Sequence, residues 1–166
     1  DKLVTGVQTC ALPISNIRCQ DIAFGYSENS NVISVAQLNI KQGEKVAILG
    51  AIGSGKSTFL KILAGLYKPT KGFVYLDGID MQLIKRDFLT ENISYLPQST
   101  KLFAGTLRDN LIFGMIGISD EQIIEAAKLT GLIGLINALP NGLDTVVPEG
   151  GESVSGGQKQ LIALTR

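Results

Sequence analysis

The feature that most constrains this chain is a run of small residues between an apolar stretch and an amphipathic one. Residues 50–58 read Gly-Ala-Ile-Gly-Ser-Gly-Lys-Ser-Thr. Residues 45–49 before them are short and apolar, which predicts a strand buried on both faces. Residues 57–66 after them place Phe59, Leu60, Ile62, Leu63 and Leu66 on one broad helical face. Strand, glycine loop and helix form the setting in which G-x-x-x-x-G-K-[ST] acts as a phosphate-binding loop. Gly50, Gly53 and Gly55 let backbone N–H groups turn inward, where a side chain would block an anion. The helix behind them points its positive end at the same place. Lys56 brings a mobile positive charge for the outer phosphates, and Ser57 a hydroxyl suited to Mg²⁺. Ser54 and Thr58 complete the polar lining of the nucleotide-binding loop. The loop by itself does not say what the bound nucleotide is used for.

Composition narrows the remaining classes. A chain of 166 residues is long enough for one domain with a core. With 45% apolar and 18% charged residues it is not a disordered chain. Fifteen basic and fifteen acidic residues balance, which argues against a nucleic-acid binder working through bulk charge. Histidine is absent, so imidazole acid–base chemistry and histidine metal ligation are excluded. Cys10 and Cys19 lack metal-ligand spacing and read as inert thiols. The least charged stretches, residues 111–119 and 129–143, are short or broken by Gly, Asn and Pro, and neither is a membrane span.

Along the chain, residues 17–24 and 32–40 read as strands, separated by a polar turn at 28–31 and followed by another at 42–44. Residues 73–76 and 79–81 flank Asp77-Gly78 and predict a short hairpin. Residues 93–96 read as a strand stopped by Pro97. Beyond Gln98 the pattern becomes helical, over 106–111, 119–130 and 133–139. Ser119 with Gln122 forms a capping box, Gly131 follows the end of that helix, and Pro140-Asn141-Gly142 close the next. Ser155-Gly156-Gly157 open a last helix.

Gln98 follows Tyr95-Leu96-Pro97, and Val154-Ser155-Gly156-Gly157-Gln158 lie well downstream of the loop. With these residues in this order, residues 16–166 resemble the ATP-binding cassette (ABC) ATPases. The loop matches their Walker A motif, Gln98 their Q-loop glutamine, and Ser155, Gly156, Gly157 and Gln158 their SGGQ signature. The resemblance implies an α/β fold: a P-loop NTPase core, incomplete here, with an N-terminal antiparallel β subdomain and a helical signature subdomain at about residues 99–156. It implies ATP and Mg²⁺ as ligands, with Ser57 and Gln98 on the metal and Lys56, Gln98 and Ser155 serving catalysis. Tyr26 falls where the family stacks an aromatic on adenine, and Gln98 also links to a membrane partner. The family works as a head-to-tail dimer in which the loop of one ATPase domain meets the signature of a second. Physics suits that role, because the Ser155 hydroxyl and the N–H groups of Gly156 and Gly157 at a helix start can grip a γ-phosphate. On the residues alone, Ser155 is equally a helix N-cap. Val154 replaces the usual Leu, Pro148 a common Gly, and Leu161 and Thr165 the usual Arg and Ala, which alters the helix surface and leaves the phosphate grip intact.

Residues 102–111 look like the segment that follows the Q-loop in exporters, and Glu149 falls in a loop that there touches the coupling helices. Glu149 is equally read as a solvated loop carboxylate. Residues 48–70, followed by 76–80, are similar to bacterial type I secretion permease/ATPases. This implies a transport ATPase for protein or peptide at the cytoplasmic face of the bacterial inner membrane. Its transmembrane domain would lie on the same native chain, with adaptor and outer-membrane partners and no nucleic acid. A lipid or drug exporter, or a soluble ABC ATPase of DNA repair or translation, is the alternative. Residues 4–15 resemble a translated sequencing adapter, so residues 1–15 are expected to be non-native and 16–166 a partial ATPase domain. The family's second acidic strand motif follows the signature and is not among these residues. The chain is therefore expected to bind ATP without hydrolysing it.

Overall fold

In a computed structural model, residues 14–27, 30 and 32–166 are described. Residues 1–13, with Cys10 and most of the adapter-like segment, lie outside the described residues, as do 28, 29 and 31 of the expected turn. The chain divides into two units between Tyr95 and Leu96.

The first unit is built on β1 (Asn16–Phe24), which pairs antiparallel with β2 (Ile33–Lys41) on one side and β3 (Lys71–Leu76) on the other. With β4 (Ile79–Asp80) the sheet order is β2-β1-β3-β4. Cys19 and Ile22 are both buried although three residues apart. Strict alternation would put them on opposite faces, but the register shifts between Gln20 and Ala23, where Asp21 has φ 48°. The bulge brings the Gln20 and Asp21 carbonyls to within 2.3 Å of where a Cβ on Gly72 would stand, and Gly72 has φ +74°. Only glycine fits there. Asp77 and Gly78, both at positive φ, make the tight turn between β3 and β4 as expected.

Helix α1 (Lys56–Leu63) lays Phe59, Ile62 and Leu63 on this sheet, against a core of Cys19, Ile22, Ile33, Val74 and Leu76. It ends earlier than the apolar pattern suggests, because Gly65 takes φ +69° beside Met81 and Leu89. A further helix, α2 (Arg86–Asn92), buries only Leu89, so its apolar periodicity was too faint to read. Burial pushes the Cys19 thiol up to about 11, so it stays protonated and unreactive.

Two expected strands are corrected. Residues 45–49 are not a buried strand: Val46 and Leu49 are exposed, Leu49 at 90%. Residues 93–96 likewise form no ladder. An extended segment becomes a strand only when a neighbour accepts and donates its backbone hydrogen bonds. Among the described residues no strand pairs with either segment, although Ile48 and Ile93 still pack against the core.

The second unit is helical: α3 (Leu107–Leu111), α4 (Asp120–Thr130), α5 (Ile133–Ala138) and α6 (Gly156–Thr165). A two-residue pair, β5 (Gly105–Thr106) with β6 (Val146–Val147), closes it. Thr106/Asp109, Ser119/Gln122 and Ser155/Gln158 each form a complete capping box, and Gly131 ends α4 at φ 85°. Leu102, Leu107, Leu111, Ile123, Ala127, Leu132 and Ile162 fill the core. Asn110 is buried among them, its amide donating to the carbonyls of Phe103 and Thr106 and accepting from the Phe103 N–H. Arg108 ties α3 to Asp120 and Asp144. Among the described residues no helix is long and apolar enough to cross a membrane.

Candidate functional site

The glycine loop is shaped for an anion by its backbone. Gly53 and Gly55 lie at φ 82° and 85°. A Cβ on Gly55 would stand 3.0 Å from the Val32 carbonyl oxygen, and one on Gly50 2.7 Å from Ser54 Oγ. Gly55 is also the N-cap of α1, and no side chain caps that helix. Its first-turn N–H groups therefore face the loop with no side-chain acceptor of the protein's own. Lys56 folds back over the loop, donating from Nζ to the carbonyls of Gly50 (2.8 Å) and Ala51 (2.7 Å) and reaching Ser54 Oγ at 3.4 Å. Ser57, next in the helix, is exposed.

Tyr26 stands just past the end of β1, and the fold brings it to the loop. Its hydroxyl lies 2.8 Å from Thr58 Oγ1. Tyr26, Val32, Gly53, Gly55, Lys56, Ser57 and Thr58 line a cleft of about 270 Å³. A larger groove of about 390 Å³ in the same unit, lined by Leu66, Pro69, Met81, Leu89 and their neighbours, contains none of the expected residues. Size does not decide between them: of the two, the smaller cleft is the one with a glycine cradle in front of its helix start.

In the second unit, Ser155 caps α6. Its Oγ accepts from the Gln158 N–H at 3.3 Å, while Gln158 Oε1 accepts from the Ser155 N–H at 2.8 Å. The Ser155 O–H remains a donor, and Gly156 and Gly157 sit in the first turn. So the N-cap role is present, and it is compatible with an anion contact. The loop before the helix is held by Lys159, whose Nζ donates to the Gly150 carbonyl, and by the Gly150 N–H on the Leu102 carbonyl. Glu149 opens the turn that contains Gly150. Gln160 donates to the Gln98 carbonyl at 3.2 Å, tying the backbone of Gln98 to α6. The expected residues thus divide: Tyr26 and residues 50–58 belong to the first unit, Gln98 and Ser155–Gln158 to the second.

Sequence reading missed the supports. Phe24 and Tyr67 flank Tyr26, and Asn110 and Lys159 hold the second unit's loops. Tyr67 lies far from Tyr26 in the chain, and the loops that Asn110 and Lys159 hold are irregular, so no periodic spacing reveals them. For Mg²⁺, the first unit offers the exposed Ser57 hydroxyl, a hard oxygen of the kind that ion takes. Among the described residues no cluster of three or more Cys, Asp or Glu offers a separate metal site.

A family profile for ABC transporters matches residues 33–166. An uncharacterized ABC transporter ATP-binding protein of Bacillus subtilis (strain 168) is 39% identical over 91% of this chain and 26% of its own length. A mitochondrial iron–sulfur clusters transporter of Homo sapiens is 36% identical over all of this chain and 22% of its own. A lactococcin-A transport/processing ATP-binding protein of Lactococcus lactis subsp. lactis is 40% identical over 91% and 21%. The chain thus spans about a quarter or less of the curated relatives it matches. Among solved structures, a bacterial Atm1-family ABC exporter with ATP bound superposes with a TM-score of 0.85 and 32% identity, over 93% of this chain and 28% of that one. A profile match over most of the chain, with the glycine cradle in its first unit and the capped Ser155 in its second, places the chain in the ABC transporter family, as an ATPase domain with the P-loop fold.

Proposed function

We propose that this chain is part of the ATP-driven motor domain of an ABC exporter. The observation that carries the reading is Lys56: its ammonium rests on the loop's own oxygens, in front of an uncapped helix start. Neutral carbonyls are weak partners for a cation, and a phosphate is a stronger one. The positive end of α1 favours the same exchange. In this reading Lys56 and the N–H groups of residues 53–58 bind the phosphates, Ser54 lines the cradle, and Tyr26 supports the adenine. Ser57 and Gln98 would hold Mg²⁺, which when bound offsets charge on the outer phosphates. Ser155 donates its O–H to the γ-phosphate of a nucleotide on a second ATPase domain, with the N–H groups of Gly156 and Gly157 beside it. Gln158 keeps Ser155 in place through the capping box.

Two such sites closing head to tail would bind ATP more tightly when closed than when open, and that difference drives a transmembrane domain between states. We read the cargo as protein or peptide, exported from the cytoplasmic face of a bacterial inner membrane with adaptor and outer-membrane partners. The relative that transports lactococcin-A supports a peptide cargo. A second reading, export of a smaller molecule, is favoured by relatives of similar identity that are iron–sulfur clusters transporters. Lipid or drug export falls under that second reading.

The decisive test is titration of the chain with a fluorescent ATP analogue in Mg²⁺, for the parent and for Lys56→Ala. Binding by the parent and its loss in the variant are expected, together with negligible turnover by the chain alone. Equal binding by both would remove Lys56 from the site and the proposal with it. Cargo is read separately, from vesicles holding the full transporter and a labelled peptide: ATP-dependent peptide uptake supports the first reading, and uptake of a small molecule in its place supports the second.

A further inference from the structure

We infer that Thr58 is a positioning residue for the base: its hydroxyl holds Tyr26 in the orientation that leaves a ring face open for a flat ligand. This rests on the reading above that Tyr26 supports adenine. Tyr26 is 62% exposed, and an exposed tyrosine ordinarily samples several rotamers on a fast timescale. Here its ring is held from more than one side. The hydroxyl lies 2.8 Å from Thr58 Oγ1. The ring stands nearly perpendicular to Phe24 (84°, 5.2 Å between centroids) and to Tyr67 (88°, 6.1 Å). Neither neighbour is stacked on it, so face-to-face stacking is left for another flat ring. The neighbours are themselves fixed: Phe24 and Tyr67 stack on each other at 5.4 Å, and Lys61 lies over the Tyr67 ring at 5.2 Å.

Thr58 suits the task because it does not move with solvent. It is buried in the first turn of α1, beside Phe59, and its hydroxyl is the group that meets Tyr26. A hydroxyl has one donor and two acceptor positions. Thr58 can therefore accept from the Tyr26 O–H and keep its own proton for a phosphate oxygen, so the two contacts do not exclude each other. One buried hydroxyl then links the platform under the base to the loop around the phosphates. A ring oriented beforehand loses less rotamer freedom when the nucleotide stacks on it, which strengthens binding without a new contact.

The test compares ATP with inorganic tripolyphosphate, which carries the charge and lacks the base, by calorimetric titration of the chain in Mg²⁺. Tyr26→Phe keeps the ring and removes its hydroxyl. It should weaken ATP about fivefold and leave tripolyphosphate unchanged. Thr58→Val should show the same base-dependent loss on top of a smaller loss common to ATP and tripolyphosphate, from its own phosphate contact. The double variant should lose no more than Thr58→Val alone, because Tyr26→Phe removes only the bond the two share. Thr58→Ser keeps the hydroxyl and should restore ATP binding to the parent value. Should Thr58→Val not fold, Tyr26→Phe and Thr58→Ser still decide the matter. Parent-like ATP binding by Tyr26→Phe would overturn the inference. So would an equal loss of ATP and tripolyphosphate in Thr58→Val, which would make Thr58 a phosphate contact only. A parent that binds neither ligand fails the proposed function, a different result from one that binds both with no base-dependent change in the variants.

Discussion

The two helices that face phosphate in this reading begin in opposite ways. Helix α1 starts from Gly55 in the left-handed region, with no side chain on its first-turn N–H groups. Helix α6 starts from Ser155, whose side chain and that of Gln158 satisfy each other's backbone reciprocally. The first start is incomplete without an anion, while the second is complete by itself and keeps one O–H and the glycine N–H groups to offer. The contrast extends to the units. Every capping box described lies in the second unit, on α3, α4 and α6, whereas α1 and α2 of the first have no side-chain cap. A helix capped by its own residues holds its geometry whether or not ligand is present. A helix opened by glycines gains its last hydrogen bonds from the ligand, so binding and local order are coupled there.

The sharpest way to break this comparison is Lys56→Ala. If the first start depends on charge brought by its ligand, ATP affinity should fall about 100-fold, roughly 2.7 kcal/mol. The melting temperature without nucleotide should hold, because the lysine's acceptors are exposed loop carbonyls. A melting point that dropped while affinity stayed would reverse the roles assigned to the two starts.

Next in size, Asn110→Ala should destabilise the second unit by about 2 kcal/mol, since it removes a buried amide and the hydrogen bonds it makes to the backbone of Phe103 and Thr106. Urea unfolding would show it, and nucleotide affinity should not change; a loss of affinity at unchanged stability would give Asn110 a part in binding. Ser155→Ala removes one cap and should cost about 1 kcal/mol in the same unfolding experiment, again with ATP binding by the single chain unaltered. In the assembled dimer, by contrast, turnover should fall, and unaltered turnover there would leave Ser155 as a cap alone.

The smallest effect is a pH dependence. The Thr106 backbone N–H and then its hydroxyl hold the Asp109 carboxylate below its ordinary range. A carboxylate with a depressed folded pKa contributes stability above its unfolded value, and that contribution is lost as pH falls through the lowered folded value. Carboxylate NMR should place the Asp109 titration below the ordinary aspartate value, and Thr106→Val, which keeps the backbone N–H and removes the hydroxyl, should move it part of the way back up. A midpoint in the ordinary range for the parent would dissolve that capping box.

Much of the local structure was legible in the residues. Ser119 with Gln122 and Gly131 predicted α4 to its ends, Asp77-Gly78 predicted the hairpin, and Ser155 the start of α6, because caps and tight turns are settled by side chains within a few positions of the backbone they satisfy. Residues 45–49 and 93–96 were misread for the complementary reason. Their apolar content marks a place for burial, yet a strand also needs neighbours to complete its hydrogen bonds, and sequence pattern cannot supply them.

The same division holds at the candidate site. Glycine at 50, 53 and 55, lysine at 56 and hydroxyls at 57 and 58 state the ligand class within one turn of chain, since the requirements of a phosphate cradle are local. Only the tertiary structure decided that Tyr26 meets Thr58 across thirty-two positions, that Gly72 yields room to the bulge at Gln20 and Asp21, and that Asn110 holds the loop at Phe103. The first two join segments distant in the chain and the third closes an irregular loop that no cap or turn pattern marks, so all of them exist only once packing has brought their backbones together.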